Sequence, residues 1–202
     1  TEVTTGYVAS SGGNALHSVD VKNVFIAADA GYVYRLSNVA SGVSVSTAGG
    51  VTSENLNDIS GFGQQLVAVG ESSAIIYSND LGNTWNTATA PTTGLSLTSV
   101  FCVSEDAFFL GTGSGVLYYT DNLGVTWNTL TLPGAPTAIV DIEMYARNTD
   151  DYYFGYIAAN DGSNTLIYRT TDSGNTWNNT TPSVRNVTST FSGVGAPTGA
   201  KI

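Results

Sequence analysis

The sequence predicts an all-β fold, a β-propeller, and three observations carry that prediction. The first is composition. Only 11% of the 202 residues are charged, there are 23 glycines, and Ser and Thr fill nearly a quarter of the chain. Average proteins carry about 25% charged residues. Turn formers and β-formers alternate with apolar residues, and no long run of Ala, Glu, Lys and Leu favours a helix. The second is a motif that occurs three times: Ser78-Asn79-Asp80-Leu81-Gly82-Asn83-Thr84-Trp85, Thr120-Asp121-Asn122-Leu123-Gly124-Val125-Thr126-Trp127 and Thr170-Thr171-Asp172-Ser173-Gly174-Asn175-Thr176-Trp177. Its three ends are the three tryptophans of the protein. The third is a start marker, Leu16-His17-Ser18-Val19, Leu56-Asn57-Asp58-Ile59, Leu97-Thr98-Ser99-Val100, Ile139-Val140-Asp141-Ile142 and a weaker Val184-Arg185-Asn186-Val187. The markers recur every 40 to 45 residues, which is the period of one four-stranded blade.

Each unit reads as a leading strand, a second strand, a Gly- or Ser-containing turn, a third strand, the motif turn and a fourth strand. The first unit, about residues 14–50, places Val24–Ala27 before Tyr32–Tyr34 but lacks the tryptophan motif, and Asn38 is the expected turn former. The second, about 51–91, pairs Leu66–Gly70 with Ala74–Tyr77 across Glu71-Ser72-Ser73. The third, about 92–134, pairs Ala107–Leu110 with Val116–Tyr119. The fourth, about 135–183, pairs Tyr156–Ala159 with Thr165–Tyr168 around Asn160-Asp161-Gly162. These runs of β-branched and aromatic residues bounded by turn formers are strand signals. Residues 1–13 and 184–202 together approach the length of one more unit. Glu2–Ala9 and Val184–Phe191 are expected to close a fifth blade within a single domain spanning 1–202. The competing expectation is a sector of a larger ring.

The motif has a structural logic. Asp at its third position accepts backbone N–H groups, and Gly at its fifth takes a positive φ. Trp then turns inward and buries about 200 Å² between neighbouring sheets. Ser/Thr-x-Asp-x-Gly-x-Thr-Trp resembles the Asp-box, or BNR repeat, of sialidases, sortilin-type receptors, several glycoside hydrolases and a photosystem assembly factor. The second copy departs from the pattern, with Asn122 at the Asp position. The resemblance implies a scaffold role for Asp80, Gly82, Trp85, Asn122, Gly124, Trp127, Asp172, Gly174 and Trp177, on the face away from the usual ligand site. The turns lack the alternating oxygen ligands of a calcium loop, so no metal is expected there.

Candidate ligand-binding residues lie elsewhere. The turns between second and third strands carry Asp29, Glu71 and Asp161. The leading strands carry Ser18, Asp58, Ser99, Asp141 and Asn186 at one position, which predicts a polar ring at the axis. Asp58 and Asp141 across a channel suit glycoside hydrolysis if about 5–9.5 Å apart. The plainer expectation is that they bond neighbouring backbone or an ordered water. Tyr152 and Tyr153, in an aromatic run after Asp150-Asp151, suit sugar stacking or protein contact, or the core of the fourth unit.

Charge and composition exclude several classes. A net charge of −10 repels phosphate backbones and offers anionic membranes nothing basic. No apolar run approaches the roughly 18 residues of a membrane span. One cysteine, Cys102, and one histidine, His17, preclude an intrachain disulfide and a Cys- or His-based zinc site. No cofactor is expected. Sialidases resemble one another in an arginine triad and an Arg-Ile-Pro motif. Here Arg35 and Arg169 instead occupy matching places beside the motif, and Arg-Ile-Pro is absent. The photosystem factor's basic surface does not fit this charge. The expectation is therefore a non-catalytic structural, assembly or interaction module of an extracellular, cell-surface or virion structure. Its partners are other protein subunits or a surface glycan, with no nucleic acid and no membrane insertion. The alternatives are a glycan- or protein-recognition domain and, behind it, a glycosidase using Asp58 and Asp141.

Overall fold

The structure is a computed structural model, and it describes residues 12–20, 22–39, 42–48, 50–146 and 153–180. Among the described residues, sixteen strands form four antiparallel four-stranded sheets, each of four consecutive strands in chain order, arranged as propeller blades. Sheet 1 holds β1 (Gly13–Asp20), β2 (Asn23–Ala28), β3 (Val33–Val39) and β4 (Gly42–Ala48). Sheet 2 holds β5 (Leu56–Phe62), β6 (Gln65–Gly70), β7 (Ile75–Ser78) and β8 (Asn86–Thr87). Sheet 3 holds β9 (Leu97–Cys102), β10 (Phe108–Thr112), β11 (Leu117–Thr120) and β12 (Asn128–Leu130). Sheet 4 holds β13 (Ala138–Ala146), β14 (Tyr153–Asn160), β15 (Thr165–Thr170) and β16 (Asn178–Asn179). The expected fifth blade falls on residues outside those described.

The second strands are mostly apolar because both faces of a blade are covered, as in β6, where every residue including Gln65 is buried. Three cores result, one between each pair of successive sheets. Phe25, Ala27, Leu56 and Leu66 join sheets 1 and 2. Val67, Val69, Leu97 and Phe108 join sheets 2 and 3. Phe109, Leu117, Ile139 and Tyr168 join sheets 3 and 4. Cys102 lies in the second of these cores, and burial pushes its thiol up to about 12. It is a small apolar filler.

Two sequence expectations change in sheet 1. Asn38 makes no turn: it lies inside β3, paired with Val43 in a hairpin that replaces the tryptophan motif. The leading strand is also shifted by three residues. The bulge between Gly13 and Ala15 matches those between Leu56 and Asp58 and between Ile139 and Asp141. Ala15, not Ser18, therefore stands at the position of Asp58 and Asp141. Apolar residues at both Leu16 and Ile59 fit either register, and the bulge that decides between them adds a residue invisible to period-two patterning.

Candidate functional site

The four leading strands line a cavity of about 510 Å³ at the axis. It brings together His17, Asp58, Asp141 and Glu143 from sheets 1, 2 and 4. Asp58 is only 6% exposed, and its Oδ2 accepts the Val100 N–H at 2.8 Å. Two residues on, Ser60 Oγ accepts the Cys102 N–H at 3.0 Å. One face of β5 thus holds the backbone of β9. Asp141 occupies the same register position in β13 and accepts the Ile142 N–H at 3.1 Å. Burial raises the Glu143 carboxyl above its ordinary range, with Asp141 and then Asp58 adding to the effect. Burial lowers the His17 imidazole, and Asp58 opposes that shift. The cavity wall is electronegative.

Asp29 and Glu71 begin equivalent short 3-10 turns, Asp29–Gly31 and Glu71–Ser73. Each carboxylate orients an amide that reaches the next sheet. Asn14 Nδ2 donates to Asp29 Oδ1 (2.8 Å) and to the Leu56 carbonyl (2.9 Å). Asn57 Nδ2 donates to Glu71 Oε1 (2.8 Å) and to the Leu97 carbonyl (2.9 Å). In sheet 3 the Thr98 hydroxyl makes the corresponding bond to the Ile139 carbonyl at 2.6 Å. The Asn14 amide and then the Gly12 N–H hold the Asp29 carboxyl below its usual range. Asp161 accepts the N–H groups of Ser163 (2.9 Å) and Asn164 (2.7 Å) within its own turn.

Sequence reasoning missed Asn14, Asn57 and Thr98. Their signal is a short amide or hydroxyl at the bulged residue itself, which the ladder leaves unpaired. Tyr152 lies outside the described residues, and only the backbone of Tyr153 is described, in β14. Among the described side chains, the exposed aromatics of this sheet are Tyr145 and Tyr156.

The three motif turns share one construction. Ser78 Oγ accepts the Gly82 N–H at 2.8 Å and donates to Asp80 Oδ1 at 2.8 Å. Asp80 accepts the Thr84 N–H on Oδ1 (2.8 Å) and the Thr84 hydroxyl on Oδ2 (2.7 Å). Asp172 repeats this with Thr170 and Thr176. In the second copy Asn122 Oδ1 accepts the Thr126 N–H at 2.9 Å, while Nδ2 donates to Thr126 Oγ1 at 2.7 Å.

Gly82, Gly124 and Gly174 take positive φ as expected, and so do Leu81, Leu123 and Ser173 before them. The glycines have a second reason: a Cβ on Gly82 would lie 2.6 Å from the Phe25 ring of the preceding sheet, and one on Gly174 would strike Phe109. Trp177 stands edge-on to Phe109 and Trp127 edge-on to Phe108, and Trp85 packs on the first core. Among the described residues, no group of three or more His, Cys, Asp or Glu is placed to hold a metal ion.

A family model described as "Sortilin, neurotensin receptor 3" (Sortilin-Vps10) matches residues 73–197. No match to a curated protein sequence was found. Among solved structures, YCF48 from Cyanidioschyzon merolae is 16% identical with a TM-score of 0.58, over 84% of this chain and 56% of that one. A structure of YCF48 bound to D1 peptide is 14% identical with a TM-score of 0.54, over 81% of this chain and 66% of that one. The computationally designed Ika4 protein is 13% identical with a TM-score of 0.59, over 85% of this chain and 98% of that one. This chain therefore spans little more than half the length of the first YCF48 structure, and these likenesses are of fold.

Proposed function

This chain belongs to the Sortilin-Vps10 family, and on that premise we propose that it is a non-catalytic interaction module that assembles with other protein subunits of an extracellular, cell-surface or virion structure. One observation carries the reading: the carboxylates that stand out in the sequence are engaged in holding the fold. Asp58 receives a buried backbone N–H of the next sheet. Asp29 and Glu71 orient inter-sheet amides, Asp161 caps its own turn, and Asp80 and Asp172 organise the motif turns. A general acid must release and recover a proton at the substrate, whereas Asp58 is committed to the backbone N–H of Val100 in the next sheet. Polar surfaces rich in Ser, Thr, Asn and Tyr suit wet protein contacts. The YCF48 propeller described with a bound D1 peptide supports a protein partner over a glycan.

Light scattering on the intact chain, paired with hydrolysis assays on aryl glycosides, tests this. The expected result is a concentration-dependent native mass above 20.9 kDa and no turnover. Turnover abolished by Asp58→Asn or Asp141→Asn would overturn the non-catalytic reading. A monomer at every concentration that binds a glycan array would replace assembly by glycan recognition.

A further inference from the structure

The outward flank of sheet 4 differs from the same flank of the other three sheets. In sheet 2 that flank carries Asp58, Ser60, Val67 and Val69, all buried against sheet 3. In sheet 4 the matching residues are Asp141, Glu143, Tyr156 and Ala158. Here Tyr156 is 41% exposed and Tyr145, next along the flank, 58% exposed. They border a mostly apolar groove of about 210 Å³ with Ala158 and Ile167. The opposite flank of the array shows the same feature. Leu16 of β1 is 64% exposed, while its counterparts Ile59, Val100 and Ile142 are buried. An exposed aromatic groove beside Asp141 and Glu143 at one end of the blade array and an exposed Leu16 at the other are features suited to packing on a sheet.

We propose that these flanks are the two walls of one further blade seat, and that residues 184–191 of this chain supply its leading strand, laid beside β13 with Asp141 receiving one of its backbone N–H groups as Asp58 receives that of Val100. Connectivity argues for this occupant. Each fourth strand lies at the outer edge of its sheet, and the chain returns from it to the axis in seven to nine residues: β4 to β5, β8 to β9 and β12 to β13. The same return from β16, which ends at Asn179, delivers the chain to the axis at about 187–189. Val184-Arg185-Asn186-Val187, which repeats the leading-strand pattern, begins three to five residues ahead of that point. The family match also continues past β16 to residue 197. A tethered segment has the advantage of a high effective concentration over a separate chain.

Two measurements on the full-length chain test the proposal. Hydrogen exchange should show amides of 184–191 slowed at least about 100-fold relative to open chain, independently of protein concentration. Glu143→Cys, combined with Cys substitutions one at a time at positions 184 to 191, should give intrachain disulfides on oxidation. They should fall at alternate positions, because a strand turns successive side chains to opposite faces. Buried Cys102 is shielded from the oxidant. Exchange at open-chain rates would overturn the proposal. So would disulfides that form only between chains, which would make a second copy the occupant, or disulfides that form at no position.

Discussion

The motif turns at Asp80 and Asp172 place a carboxylate where the second copy has the neutral Asn122 and carries its carboxylate, Asp121, one residue earlier, yet the three make nearly the same bonds. A carboxylate oxygen accepts the Thr84 hydroxyl at 2.7 Å. The Asn122 amide donates to the Thr126 hydroxyl at the same distance, reversing the bond. The threonine hydroxyl serves as donor in one case and acceptor in the other. The difference teaches that hydrogen-bond geometry, not a charge at the third motif position, builds the turn. What all three share is a buried Ser78, Thr120 or Thr170 hydroxyl receiving the glycine N–H. What boxes one and three share, and box two lacks, is a glycine set against an aromatic ring of the preceding sheet.

The largest effect that would separate these turns comes from the glycines. Gly174→Ala should cost about 3 kcal/mol in urea denaturation, from its positive φ and the collision with buried Phe109. Gly124→Ala, whose Cβ would meet the Thr89 carbonyl at 2.9 Å, should cost less; equal losses would break the distinction. Next comes the shared hydroxyl. Thr120→Val and Thr170→Val each strand a buried Gly N–H and should each cost about 1–3 kcal/mol. A loss at Thr170 alone would mean that the charged box works differently.

Smaller still is the exchange of the central residue. Asp80→Asn and Asn122→Asp should each move Tm by no more than about 2 °C, read by circular dichroism. A collapse of either turn would restore charge as the cause. The smallest effects are in pH. The Thr84 N–H and hydroxyl, then the Ser78 hydroxyl, hold the Asp80 carboxyl below its ordinary range. At Asp172 burial opposes, and the Thr176 and Thr170 bonds outweigh it. A lowered folded-state value favours the fold above the unfolded value and is lost as pH falls through the folded one. The double variant Asp80→Asn, Asp172→Asn should therefore denature less steeply in acid. Glu143 has the opposite sign: its raised value disfavours the fold once the group ionises. Glu143→Gln should stabilise at neutral pH, and the gain should vanish as pH falls below the ordinary glutamate value.

The motif positions and the blade period were legible in the sequence because turn chemistry and tryptophan are local signals. Leu81, Leu123 and Ser173 at positive φ were not, since nothing in a leucine announces that conformation. The leading strands were legible as strands, but the register of β1 was not. Leu16 and Ile59 satisfy two alignments, and the bulge at Gly13 to Ala15 chooses between them. At the axis Asp58 was visible as a carboxylate at blade spacing, but its partner, the Val100 N–H, belongs to the next sheet. Asn14 and Asn57 were hidden for the same reason: their acceptors lie 42 and 40 residues away, in contacts that only the ring arrangement creates.

Those inter-sheet bonds have a mechanical consequence. Asn14 to Leu56, Asn57 to Leu97 and Thr98 to Ile139 span 42, 40 and 41 residues, so each sheet is clasped to its successor by the same latch at the same contour distance. Under a stretching load the sheets should let go one after another, each release adding about 140–150 Å of slack at roughly 3.5 Å per residue. A single-molecule force trace would read as a row of evenly spaced teeth, the blade period written in length.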